Sequence, residues 1–157
     1  MSRIQLALNV SDIDEAVAFY SRLFATEPAK RKPGYANFAV DSPPLKLVLI
    51  EKPDAPATLN HLGVEVFSTD EVTATQARLS GEGLATATEE NVACCYAVQD
   101  KVWVDDPDGA PWEIYTVLGD SDVPNGELRT VDVCGAGACA TEELVADQPG
   151  ATVKGCC

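Results

Sequence analysis

Residues 61–71 read HLGVEVFSTDE and residues 3–14 read RIQLALNVSDID, and the two segments are built alike. From His61 to Phe67, Leu62, Val64 and Val66 take the alternate positions. Side chains of a strand point to opposite faces in turn, so this spacing predicts a strand with one apolar face. Ile4, Leu6 and Leu8 give Arg3 to Val10 the same pattern. Each segment then offers a serine followed three residues later by a carboxylate, Ser68 with Glu71 and Ser11 with Asp14, the spacing of a capping box. A helix is expected after each. Ile13, Ala16, Val17, Tyr20, Leu23 and Phe24 stand at helical spacing in the first, and Val72, Gln76 and Leu79 in the second, which Gly81 and Gly83 should end.

Strand patterns follow both helices: Tyr35 to Val40 and Leu45 to Glu51 in the first copy; Leu84 to Thr88, Ala93 to Gln99, Lys101 to Val104 and Trp112 to Leu118 in the second. A βαβββ unit used twice accounts for this order. The expected fold is α+β, two tandem βαβββ modules (about 2–52 and 59–118) forming one curved mixed sheet around a metal cavity, with helices on the outer face. Lys52-Pro53-Asp54-Ala55-Pro56 reads as the linker, and Asp105-Asp106-Pro107-Asp108-Gly109 as a tight turn. From about Gly119 the periodicity dissolves, so 119–157 is expected to be a mostly flexible, cysteine-containing tail.

The chain has 157 residues and a formal net charge of −14, with eleven Lys and Arg together. That balance argues against nucleic acid or an anionic membrane as a partner, since phosphate backbones require basic residues. No apolar run approaches a membrane span and no leader-like pattern opens the chain, so a cytoplasmic location is expected. Six cysteines in a chain of this size favour thiols over a disulfide scaffold.

Gln5, His61 and Glu113 occupy the same place in three similar strands, each on the side opposite the apolar stripe. His61 is the only histidine. Imidazole, carboxylate and an amide oxygen form a mixed N/O set suited to Fe(II), Mn(II), Ni(II) or Co(II), with positions left open for substrate and dioxygen. The competing readings are a structural histidine and a solvated strand carboxylate. Cys94 and Cys95 form a second constellation. Thiolates select soft acceptors such as Cu(I), Zn(II) or trivalent arsenic. Adjacent residues of a regular strand face opposite ways, so joint binding of one atom requires a loop or bulge there; otherwise the pair is two buried apolar residues. Cys134, Cys139, Cys156 and Cys157 lie in the tail.

The doubled unit, the placement of the three polar residues and the Asp106-Pro107-Asp108-Gly109 turn leading to Glu113 resemble the vicinal oxygen chelate superfamily of glyoxalase I, extradiol dioxygenases and bleomycin-resistance proteins. Within it, Cys94-Cys95-Tyr96-Ala97-Val98-Gln99-Asp100-Lys101 and the cysteine-rich tail are similar to the ArsI carbon–arsenic lyases. The resemblance implies an Fe(II)- and O2-dependent lyase, with Ni, Co or Mn able to substitute, acting on trivalent organoarsenicals such as methylarsonous acid. It places the metal on Gln5, His61 and Glu113 and arsenic capture on Cys94 and Cys95. The resemblance implies that several relatives carry histidine where this chain has Gln5. Lys101 and Tyr96 receive no role, and the loop holding Cys94 is expected to be mobile. Either a monomer or a homodimer is compatible with fused repeats. The rival functions are a bleomycin-resistance-type binder of cationic drugs and a non-catalytic thiol trap. A glyoxalase-type isomerase would want a fourth ligand, for which Glu51 is the only, weak, candidate near Lys46 to Ile50.

Overall fold

In the computed structural model, which describes residues 2–123, the elements run β1 (Arg3–Val10), α1 (Ile13–Phe24), β2 (Lys30–Lys32), β3 (Tyr35–Val40), β4 (Leu45–Glu51), β5 (Leu59–Glu65), α2 (Thr69–Gly81), β6 (Ala87–Cys94), β7 (Ala97–Asp105) and β8 (Pro111–Asp120). All eight strands join one curled mixed sheet in the order β2-β3-β4-β1-β5-β8-β7-β6. Read outward from the β1–β5 seam, both halves have the same order: first strand, fourth, third, second. The first strand of each pairs parallel with the fourth, and the two first strands meet antiparallel. The repeat legible in the sequence is thus a repeat of topology.

Alternation along the strands separates the faces. Leu6, Leu8 and Val10 pack outward with Phe38, Leu47 and Leu49 under Ile13 and Val17 of α1. Val64 and Val66 meet Val72 of α2 together with Val102 and Ile114. The opposite face carries Gln5, Ala7, His61 and Glu113.

Several expectations need correction. Asp12, not Ser11, caps α1: its Oδ1 accepts from the backbone N–H groups of Asp14 and Glu15, each at 2.8 Å. Ser68 does cap α2, and Glu71 reaches back to the Phe67 N–H at 3.0 Å. Leu23 is exposed rather than packed, whereas Tyr20 and Phe24 lie against the core. The first module holds a third short strand, β2, whose residues Lys30-Arg31-Lys32 show no apolar alternation. Ala93 to Gln99 is not one strand, because the chain reverses at Cys95-Tyr96. β8 runs past Gly119 to Asp120. Cys134, Cys139, Cys156 and Cys157 lie outside the described residues.

Candidate metal centre and thiol turn

Gln5, Gly63 and Glu113 stand side by side in the register of β1, β5 and β8. His61 lies two residues before Gly63, on the same face. All three polar side chains are buried, at 3 %, 5 % and 3 % relative exposure, so Glu113 is not a solvated carboxylate. Their tips converge: Gln5 Nε2 is 3.0 Å from His61 Nε2 and donates to Glu113 Oε1, and His61 Nε2 is 3.2 Å from the same oxygen.

Each of the three also has one atom committed to a partner behind it. Asn9 donates to the Ala57 carbonyl at 2.9 Å, Asn60 donates to Asn9 Oδ1 at 2.8 Å, and Asn60 Oδ1 faces His61 Nδ1 at 2.7 Å. A backbone carbonyl can only accept, so this chain fixes the proton on Nδ1 and leaves Nε2 with its lone pair. Asn60 reaches its neighbour's ring because the β1–β5 register slips there: Ala7 pairs with His61 and Leu8 with Leu59, making Asn60 the extra residue of a bulge. Lys101, with no exposure at all, donates to Glu113 Oε2 at 3.0 Å. Burial resists ionisation of Glu113, but the Lys101 ammonium beside it prevails and holds the carboxyl well below the usual carboxylate range. Tyr115 donates its hydroxyl to Gln5 Oε1; burial pushes its pKa far up, so it remains an O–H.

This donor set fits a divalent ion. Bonds of about 2.1 Å put neighbouring ligand atoms of an octahedral shell about 3 Å apart, and the two longer edges of the triangle measure 3.0 and 3.2 Å. The two acceptors, His61 Nε2 and Glu113 Oε1, are bridged by the Gln5 amide N–H groups, which take the place a cation would fill. Turning the amide over presents Oε1 instead, and the Tyr115 hydroxyl can accept from Nε2 as readily as it donates to Oε1. No three His, Cys, Asp or Glu side chains cluster among the described residues; the trio depends on its amide.

Cys94 ends β6 and pairs with Ala97, so Cys95 and Tyr96 form a two-residue hairpin turn. Both have positive φ, 52° and 60°. That is the backbone of a type I′ turn, which favours Asn-Gly. Cys and Tyr in this region cost roughly 1–2 kcal/mol each, and such strain collects at functional sites. The reversal brings the two sulfurs to 3.6 Å from one another. The turn is contacted from the other module. Lys30 donates to the Tyr96 carbonyl at 2.8 Å, Tyr35 and Tyr96 rings pack at 5.3 Å, and Lys32 lies 5.7 Å from the Tyr96 ring centre.

A cavity of about 220 Å³ has Gln5 and Glu113 of the first constellation and Cys95 of the second in its wall, with Gln99; His61 and Cys94 lie behind it. Arg3, Lys30, Lys46 and Glu65 line it too. Lys46, beside Gln5 in the register, bonds Glu65 at 2.9 Å, and Glu51 turns away to the Ile13 N–H; neither offers a fourth ligand. Lys101, Tyr115, Asn60, Gly63 and Gln99 were not legible as site residues.

Residues 3–114 match the glyoxalase/bleomycin resistance protein/dioxygenase superfamily, and the chain belongs to that family. It is 63% identical over 122 residues to the cadmium-induced protein CadI of Mycobacterium tuberculosis (78% of this chain, 80% of that one). It is 59% identical over 123 residues to a trivalent organoarsenical cleaving enzyme of Thermomonospora curvata (78% and 82%). In fold it is similar to the Mn(II)-bound glyoxalase from Novosphingobium aromaticivorans, with a TM-score of 0.55 and 22% identity over 83% of this chain and 43% of that one.

Proposed function

We propose that this protein cleaves the carbon–arsenic bond of trivalent organoarsenicals, converting methylarsonous acid to arsenite with Fe(II) as cofactor and O2 as co-substrate. The observation that carries the reading is that Cys95, half of an adjacent cysteine pair, shares one cavity wall with Gln5 and Glu113. The relative named for organoarsenical cleavage supports it.

In the reduced state the two thiols exchange with the hydroxyls of R–As(OH)2. Two As–S bonds form, two As–O bonds break, and two waters leave. Capture converts a diffusing reactant into one held beside the metal site. Gln5, His61 and Glu113 would hold the ion, which when bound would supply the one-electron chemistry that a closed-shell arsenical needs to react with dioxygen. Asn60 fixes the His61 tautomer, Lys101 occupies Glu113 Oε2 so that Oε1 faces the centre, and Tyr115 steadies the Gln5 amide. The net change, CH3As(OH)2 + O2 → As(OH)3 + CH2O, balances without a further reductant.

The cavity wall carries Arg3, Lys30 and Lys46, so the acidity of the chain does not extend to it, and sequestration of a cationic drug is disfavoured. The thiol trap is separated by experiment. Protein loaded with Fe(II) anaerobically and given excess methylarsonous acid and air should release arsenite and formaldehyde in equal amounts over many turnovers. Arsenic that stays bound, stoichiometric and methylated would leave only a trap.

A further inference from the structure

Gln99 is 5 % exposed, and its Oε1 has no hydrogen-bond partner among the described residues. Its Nε2 donates to the Cys94 carbonyl at 3.3 Å. That carbonyl can only accept, so the amide orientation is fixed and Oε1 is left as the orphan. The side chain lines the same cavity as Cys95, Gln5 and Glu113. A register slip aims it there: Val98 pairs with Gly119 and Gln99 with Val117, leaving Leu118 as the extra residue of a bulge. A buried acceptor without a donor is costly, and a ligand that supplies the donor recovers that cost.

We infer that Gln99 is a ligand-contacting residue whose Oε1 accepts a hydrogen bond from a hydroxyl on arsenic. This rests on the capture reading above. Trivalent arsenic has three substituents, and the thiols take two. On captured methylarsonous acid the third is a methyl group, which donates nothing. On captured arsenite it is a hydroxyl, which does: As(OH)3 and two Cys thiols give HO–As(S-Cys)2 and two waters. Gln99 therefore discriminates between substrate and product at one site, favouring the species that carries the hydroxyl and slowing release of arsenite.

The test is binding of arsenite and of methylarsonous acid, measured without oxygen on reduced protein, for the unaltered chain and for Gln99→Met. Arsenite affinity should fall about tenfold, the equivalent of about 1.4 kcal/mol, while methylarsonous acid affinity stays within about twofold. Equal losses for both ligands, or no loss for arsenite, would overturn the inference. If Gln99→Met does not fold, the Gln99 side-chain amide NMR signal of the unaltered protein decides. It should move more on adding arsenite than on adding methylarsonous acid, and equal movement would contradict the assignment. Neither readout requires turnover, so a failure of cleavage and a failure of this contact are distinguishable.

Discussion

A methyl group at Gly63 would lie 2.9 Å from Glu113 Cγ and 3.0 Å from the Glu113 carbonyl oxygen. The glycine stands between Gln5 and Glu113 in the register, and the missing side chain is what lets those two tips approach. Gly63→Ala should therefore push Glu113 aside and weaken Fe(II) or Co(II) binding about tenfold or more, the scale of a disturbed ligand support. Metal titration by calorimetry or by the Co(II) absorption spectrum checks this; unchanged affinity would contradict the assigned geometry.

Lys101 and Glu113 form a buried ion pair. Lys101→Met strands the carboxylate, and removing one partner of such a pair costs about 3–5 kcal/mol. A bound divalent ion replaces part of the lost positive charge. Denaturant unfolding should show a large deficit for the variant without metal and a smaller one with saturating Co(II). A deficit independent of metal would place Lys101 outside the ion's field.

Tyr115→Phe removes the hydroxyl that steadies the Gln5 amide and leaves the ring in place. Metal affinity should fall, on the order of tenfold, with methylarsonous acid binding in the absence of metal unaltered. Calorimetry of both ligands separates the two effects.

Glu65 is buried against Arg3 and Lys46. Burial opposes its ionisation, but the two cations outweigh that and lower its pKa below the ordinary 4.5. A carboxyl with a depressed folded pKa contributes stability above its unfolded value, and that contribution is lost as pH falls through the folded one. The unaltered protein should therefore lose stability below about pH 4.5 more steeply than Glu65→Gln. Parallel acid limbs in urea unfolding would contradict this.

Cys95→Gly should separate strain from function. Glycine adopts a φ of 52° without penalty. Under reducing conditions the variant should be no less stable than the parent, yet bind methylarsonous acid at least tenfold more weakly, as one thiol cannot close the chelate. Loss of stability with binding retained would reverse the account of this turn.

The strands bearing Gln5, His61 and Glu113 were legible because each polar residue interrupts neither the apolar stripe nor the alternation around it. Ser68 with Glu71, and the Asp106 turn with Gly109 at φ 83°, were legible because their signals are local. What escaped depends on pairing between distant segments. Asn60 and Gln99 are placed by bulges, which are properties of two strands and leave no mark in either. Lys101 reads as a surface lysine until β8 brings the Glu113 carboxylate within reach of it. The β2 strand exists because Tyr35 to Asn37 pair with it, not because Lys30-Arg31-Lys32 favour it. Likewise the Ala93 to Gln99 stretch hid its reversal, since Cys95-Tyr96 lacks the glycine or asparagine that marks a type I′ turn.

The central claim is that one cavity serves both capture and cleavage. It is tested most directly by arsenic speciation with Fe(II)-loaded protein, His61→Ala and Cys94→Ser/Cys95→Ser, each given methylarsonous acid and air. The unaltered protein should yield arsenite catalytically, His61→Ala should bind methylarsonous acid without releasing arsenite, and the double cysteine variant should do neither. Full turnover by either variant would contradict the account.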